Sequence, residues 1–225
     1  MHHRTPAMQG LHRTISAQPK DGIDMTLTTG TEAQVKTEFN PRLAHLGIFC
    51  KDLDAMVEFY CREFGMIISD SGLGKSGKAA TKRRGAFLTG DPSEHHQLAL
   101  IEGRAPETPP TTAQISFLVP NLSELRAFWR HVVTTGIPVQ VVKNHGNAWS
   151  IYIDDPDGNM IEVYTHSDWY TQQPLGEPLN LEDSEEEILR QTEALVSQDP
   201  KARPRTEWMA EQAAKLKAAR VALAS

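Results

Sequence analysis

The sequence predicts an α+β fold made of two copies of one βαβββ module, preceded by an arm and followed by helices. Three observations carry the prediction. First, the chain repeats itself. Moved by 69 positions, His45-Leu-Gly-Ile-Phe-Cys-Lys-Asp-Leu53 lies over Gln114-Ile-Ser-Phe-Leu-Val-Pro-Asn-Leu122, and Tyr60 lies over Trp129. With a small change of offset, His95-His-Gln-Leu-Ala-Leu-Ile101 lies over Ile161-Glu-Val-Tyr-Thr-His-Ser167, so that His96 matches Glu162. Second, each copy continues into an amphipathic stretch that opens on Asp52 or Asn121 and stops at Gly65 or Gly136. Third, the second copy closes on a hairpin signal. The β-type runs Ser150 to Ile153 and Met160 to Tyr164 flank Asp155-Pro-Asp-Gly-Asn159, whose Pro and Gly suit successive corners of a tight turn.

Taken in order, residues 1 to 40 are rich in Thr, Gln and Gly and lack apolar periodicity, which predicts a flexible arm. His2, His3 and His12 lie in it and read as solvated. The module domain is expected over 41–167, with modules at 42–102 and 112–166, and a mostly helical extension over 168–225. The first strand is expected from Leu43 to Cys50, with His45, Gly47 and Phe49 on one face. Asp52 caps a helix whose stripe is Leu53, Met56, Tyr60 and Phe64. Two strands follow between Met66 and Leu88, separated by a Gly- and Lys-rich stretch. Its cluster of Lys75, Lys78, Lys82, Arg83 and Arg84 reads either as a solvated tip or as an attractor of anionic substrate. The fourth strand, Glu94 to Ile101, places His96, Leu98 and Leu100 on one face and His95 on the other.

A Pro- and Thr-rich linker, Gly103 to Thr112, leads to the second module. There Asn121 and Glu124 have capping-box spacing, and Leu122, Leu125, Trp129 and Val132/Val133 are expected to form a buried stripe. Strands are expected at Ile137 to Val142, Ser150 to Ile153 and Met160 to Tyr164, with His145 in the intervening turn. Asp168 to Pro174 either crosses the open mouth of the sheet, with Trp169 and Tyr170 over a substrate, or packs outside the domain. Helices are expected at Ser184 to Ser197, capped by Ser184 with Glu187, and at Thr206 to Ala224.

Composition narrows the class. A net charge of -6 gives no general attraction to nucleic acid or to an anionic membrane. No apolar run is long enough to span a bilayer, and no basic start with an apolar middle marks a secretory signal. The two cysteines, Cys50 and Cys61, sit in a strand and a helix of one module, which argues against a disulfide framework. A reducing, cytoplasmic setting is the expectation.

The candidate site follows from the repeat. The first and last strands of each module carry one polar, metal-competent residue at corresponding places: His45, His96, Gln114 and Glu162. Glu162 is the odd residue in an apolar strand, and a carboxylate there must be solvated, paired or bound to a cation.

The βαβββ repeat and the Asp155-Pro-Asp-Gly-Asn-Met-Ile-Glu162 ending resemble the vicinal oxygen chelate superfamily, over roughly residues 42 to 166. That superfamily includes glyoxalase I, extradiol ring-cleavage dioxygenases, and fosfomycin and bleomycin resistance proteins. The resemblance implies a cupped mixed sheet whose first and last strands send ligands to one divalent ion. In the extradiol members the fourth-strand His is a neighbour that acts on substrate, and the second ligand His stands where this chain has Gln114. Either His96 enters the ligand set, then, or Gln114 binds through its amide oxygen. Imidazole is the better donor for a first-row metal, which makes His45, His96 and Glu162 the expected ligands, with iron(II) as the expected metal and Mn, Zn or Ni as alternatives. The stretch His145-Gly-Asn-Ala-Trp-Ser-Ile-Tyr152, with Tyr152 ten positions before Glu162, resembles the extradiol dioxygenases. There a His works as acid/base and a Tyr contacts substrate. Gln114 departs from the pattern, standing where those enzymes place a ligand His; it and Trp169 are expected to contact substrate. Three readings stand at this level. One is an extradiol dioxygenase using O2 on a catechol-like substrate, biaryl catechols included. The second is a glyoxalase-type metal-dependent isomerase or lyase. The third is a metal-free protein that binds an aromatic compound. The superfamily also implies a homodimer or higher homo-oligomer.

Overall fold

The computed structural model describes residues 42–74, 83–110 and 112–221. The expected arm, with His2, His3 and His12, and the cluster at Lys75, Lys78 and Lys82 lie outside the described residues. In chain order the elements are β1 (Leu46–Cys50), α1 (Leu53–Phe64), β2 (Ile67–Leu73), β3 (Arg84–Thr89), β4 (Leu98–Glu102), β5 (Ile115–Leu118), α2 (Leu122–Thr135) and β6 (Val139–Asn144). Then come β7 (Ala148–Asp154), β8 (Met160–His166), β9 (Trp169–Tyr170), β10 (Glu177–Pro178), α3 (Glu185–Val196), β11 (Arg203–Pro204) and α4 (Arg205–Val221). The fold is α+β, with the expected βαβββ order in both modules.

Each module makes its own mixed sheet. The first has the order β1-β4-β3-β2, and the second β10-β6-β7-β8-β5. In both, the first and fourth strands of the module lie side by side in parallel, β1 with β4 and β5 with β8, and the other pairings are antiparallel.

The helices start and stop where the local chemistry directs. Asp52 accepts from the Ala55 amide and Asn121 from the Glu124 amide, which satisfies a free N–H of each first turn. Gly65 and Gly136 close the two helices in left-handed conformation. Ser184 caps α3 in the same way, accepting from the Glu187 amide. Val133, expected on the buried stripe of α2 beside Val132, proves exposed, because consecutive residues of a helix point to different sides.

One apolar core joins the modules. Ile48, Cys50, Leu98 and Leu100 on one sheet, Met56, Phe59 and Tyr60 on α1, Leu122 and Leu125 on α2, and Ile151, Ile153, Ile161 and Val163 on the other sheet form a single cluster. Phe64 stacks on Phe117 at 4.2 Å between ring centroids, so α1 of one module packs against β5 of the other.

The Asp155–Asn159 turn is a second, polar junction. Asp157 accepts from the Lys51 and Asp52 amides, and Tyr60 donates to Asp155 at 3.0 Å. Arg104, almost wholly buried, reaches Asn159 and Asp157. Burial pushes the Asp155 carboxyl above its ordinary value despite four donors from Asn159, Tyr60 and Asp157.

The structure corrects three strand boundaries. β1 begins at Leu46 and β4 at Leu98, so His45, His95 and His96 precede their strands rather than lie within them. The reason is the partner: β3 pairs with β4 only as far as Leu88 opposite Leu98, and beyond it Thr89 and Asp91 bond to one another in a turn. With no neighbouring strand there, the His pair has no ladder to join. β6 runs Val139–Asn144, two residues later than the expected Ile137–Val142, because its last rung is the pairing of Asn144 with Trp149.

Candidate active site

The second sheet carries the most developed polar site. Its alternation is strict: Ile115, Phe117, Ile151, Ile153, Ile161 and Val163 belong to the core side, which leaves Ser116, Ser150, Tyr152 and Glu162 on the opposite face. Register then decides the contacts. Glu162 on β8 lies opposite Tyr152 on β7 and opposite Ser116 on β5, so side chains from both neighbouring strands meet its carboxylate.

Glu162 accepts four hydrogen bonds. Oε1 takes the Tyr152 hydroxyl at 2.7 Å and the Ser150 hydroxyl at 2.8 Å; Oε2 takes the Ser116 hydroxyl at 2.6 Å and the Gln114 amide at 3.0 Å. Glu162 and Tyr152 are 9% and 8% exposed, so these bonds form out of bulk water. The expectation that Glu162 must be solvated, paired or cation-bound resolves as a carboxylate satisfied by side-chain donors.

The network continues outward. His145 Nε2 lies 3.0 Å from the Tyr152 hydroxyl, and its Nδ1 faces the carbonyl of Leu175. A carbonyl only accepts, so Nδ1 carries a hydrogen. The Tyr152 hydroxyl has one proton and gives it to Glu162, while its oxygen can receive from His145. Burial, and secondly the bond to Glu162, raise the Tyr152 phenol well above its ordinary value and keep it protonated at neutral pH. Lys143, His145, Gln173, Pro174, Leu175 and Gly176 line a cavity of about 510 Å³ outside this line.

The first sheet carries the other two expected ligands. The rings of His45 and His96 stand 4.4 Å apart, centroid to centroid, and His96 Nδ1 lies 3.0 Å from His95 Nδ1. Partial burial, then His45 and His95, lower the His96 imidazole below its ordinary value. Among the described residues, no group of three or more His, Cys, Asp or Glu side chains is placed to hold a metal ion. The donors suit a first-row metal by type, but in this chain they stand as an imidazole pair on one sheet and a four-times-bonded carboxylate on the other.

Trp169 lies in β9, opposite Pro204 of β11, with its amide donating to Ser167. Its neighbour Tyr170 stacks on Trp208 of α4 at 5.3 Å and carries Arg203 over its ring. This pair is therefore bound up with the C-terminal extension. Gln114 meets Glu162 directly. Ser116 and Ser150 were not anticipated, although alternation was a signal for both, Ser150 lying two residues from Tyr152 and Ser116 two from Gln114.

The model of the glyoxalase/bleomycin resistance protein/dioxygenase superfamily matches residues 42–163. The chain belongs to this superfamily. Among its members, biphenyl-2,3-diol 1,2-dioxygenase 3 of Rhodococcus globerulus is 31% identical over 161 residues, spanning 62% of this chain and 78% of that protein. Biphenyl-2,3-diol 1,2-dioxygenase 2 of the same organism is 27% identical over 128 residues, spanning 55% of this chain and 62% of that protein. Of solved structures in the superfamily, a glyoxylase/bleomycin resistance protein/dioxygenase domain from Frankia sp. EAN1pec is 18% identical with a TM-score of 0.47, covering 57% of this chain and all of that one. No described helix is long and apolar enough to cross a membrane.

Proposed function

We propose that this protein is an extradiol-type dioxygenase that opens the ring of a catechol-like substrate, biaryl catechols included, with both atoms of O2. The observation that carries the reading is the hydrogen-bonded line from His145 through Tyr152 to Glu162. These are the residues whose pattern resembles the extradiol enzymes, and two relatives bear that activity in their names.

In this reading His145 and Tyr152 are the catalytic pair. His145 is the acid/base at a substrate hydroxyl, and Tyr152 holds a substrate oxygen through its own hydroxyl oxygen. Ser116, Ser150 and Gln114 fix the Glu162 carboxylate, and Glu162 fixes Tyr152. Gln114 keeps its amide oxygen for substrate, and Trp169 is the aromatic side chain this reading assigns to the substrate ring. Iron(II) is the metal the reading calls for. Among the described residues His45, His96 and Glu162 are not grouped to hold it. Cytoplasmic residence and homo-oligomeric assembly belong to the same reading, supported by the two free thiols and by the exposed Ile67, Ile68 and Leu118.

The test is oxygen uptake with 2,3-dihydroxybiphenyl after anaerobic loading with iron(II), with metal content measured on the same sample. Uptake matched mole for mole by ring-opened product, and reduced at least tenfold in Tyr152→Phe and His145→Gln, is the expected result. Bound iron without uptake on any of a panel of catechols would overturn it.

A second reading is favoured by one observation, the saturation of Glu162 by four donors: a protein that holds an aromatic compound with no metal. It expects ligand binding unchanged by chelator and no iron bound after loading.

A further inference from the structure

Beyond the superfamily match, which ends at residue 163, the chain returns to the site as a strap over residues 171–176. Both ends of the strap are tied down. The Thr171 hydroxyl and the Gln172 amide donate to the Asp199 carboxylate, each at 2.7 Å, and past the other end Glu177 and Pro178 of β10 pair with Asn144 and Lys143 of β6. Between these anchors the strap lies along His145. Gly176 passes so near the imidazole that an added Cβ would come 3.4 Å from both Nδ1 and Cε1.

The strap's Leu175 carbonyl faces His145 Nδ1. A neutral imidazole carries one hydrogen, on either nitrogen, and the partner of one nitrogen decides the state of the other. With the hydrogen on Nε2, two sets of lone pairs would face each other across the Nδ1 contact. The Leu175 carbonyl therefore keeps the hydrogen on Nδ1. That leaves Nε2, 3.0 Å from the Tyr152 hydroxyl, as the nitrogen that takes up a proton and gives it back.

Gln173 ties that carbonyl to the turn bearing the imidazole. Its side-chain nitrogen donates to the His145 carbonyl at 2.8 Å and to Asn147 Oδ1 at 3.3 Å, both on the turn. Its side-chain oxygen accepts the Leu175 amide at 3.0 Å, on the strap. One side chain thus holds both partners of the Nδ1 contact. Its two ends are not interchangeable, because a carbonyl only accepts and a backbone N–H only donates. A carboxylate of the same length would keep Leu175 but set an anion against the His145 carbonyl. Gln173 is itself exposed, so its role is not core packing.

We propose that residues 171–176 fix the tautomer of His145, with Gln173 as the positioning residue. The inference rests on the acid/base role of His145 in the extradiol reading, and it brings into that step residues outside the His145–Tyr152–Glu162 line.

The test reads the tautomer by long-range 1H–15N correlation spectra of the full chain labelled with 15N-histidine, at a pH above the titration of the ring. The His145 signals are assigned by their loss in His145→Gln. Wild type is expected to hold its hydrogen on Nδ1 in at least about tenfold excess. In Gln173→Glu and Gln173→Met that excess should fall at least about threefold. Gln172→Ala, which alters a neighbour bonded to Lys201, should match wild type. Where the iron-loaded protein takes up oxygen, kcat of both Gln173 variants should fall with KM little changed. The spectra need neither metal nor turnover, so wild type with the expected tautomers but no oxygen uptake defeats the dioxygenase reading and leaves the positioning role standing. A wild-type ring with its hydrogen on Nε2, an unchanged ratio in either Gln173 variant, or a changed ratio with kcat intact would overturn the positioning role.

Discussion

Replacing Glu162 by Ala separates a satisfied, buried carboxylate from an edge residue that faces water. In the structure the change removes one acceptor and strands four donors: the hydroxyls of Ser116, Ser150 and Tyr152 and the amide of Gln114. A hydrogen bond to a charged group contributes roughly 1.5–3 kcal/mol, and a buried donor left without a partner costs about 1–3 kcal/mol. These terms are not additive here, because the three hydroxyls can turn toward one another and the enlarged space admits water. A net loss of about 2–4 kcal/mol is therefore expected. Glu162→Gln should fall between, since its amide offers one oxygen but turns an N–H toward donors on its other side. Urea unfolding followed by circular dichroism reads this directly. With a slope of about 2 kcal/mol/M, the midpoint of Glu162→Ala should fall by about 1–2 M with the slope unchanged. A loss within about 0.5 kcal/mol, the range of ordinary surface changes, would refute the network as described.

Three further outcomes test other parts of the molecule. Arg104→Ala leaves Asp157 buried without its ion pair and should cost about 3 kcal/mol in urea unfolding; the Lys51 and Asp52 amides still bond Asp157 and keep the loss from being larger. Glu63 joins α1 to His131 of α2; burial alone would raise its carboxyl, but the bonds from His131 and Arg62 outweigh it and hold the folded value below the ordinary one. Its contribution is thus present above the unfolded value, about 4.3, and fades as pH falls through the lower folded value, so the stability difference between wild type and Glu63→Gln should shrink between about pH 5 and pH 3. Gly146→Ala forces a side chain into a backbone with φ 72°, and its Cβ would sit 2.5 Å from Thr171. A cost of at least about 1–2 kcal/mol in melting experiments and weaker turnover are expected, because the neighbouring His145 depends on this turn to reach Leu175.

What was legible in the sequence was local. The caps at Asp52, Asn121 and Ser184 form within three residues of the helix start, so residue type and spacing were enough. The Asp155–Asn159 turn was legible for the same reason. What was not legible depended on partners distant in sequence. The ends of β1 and β4 are set by where β3 turns away, and the two-residue strands β9, β10 and β11 exist only through pairings with Arg203–Pro204, β6 and Trp169–Tyr170. At the site, Glu162 and Tyr152 were each singled out, as a metal ligand and a substrate contact, but not as partners of one another, and Ser116 was missed because it reaches the carboxylate through a parallel pairing across 46 residues.

The same distinction explains how the four repeat-matched residues are arranged. The first and fourth strands of each module pair in parallel, which brings the strand ends that carry these residues side by side within that module, although not as register partners. His45 therefore meets His96, and Gln114 meets Glu162. Each module has settled its own pair differently: two imidazoles in contact in the first, an amide donating to a carboxylate in the second. A site using both imidazoles and the carboxylate must also bring the two faces together, and that step is not encoded by the repeat. Metal content therefore measures the relation between the modules as well as the donors. If iron loads in wild type and is lost from both His96→Ala and Glu162→Ala, the two sheets contribute to one centre. If the carboxylate variant alone retains its iron, the imidazole pair acts without the second sheet, and the Glu162 network serves only to hold Tyr152.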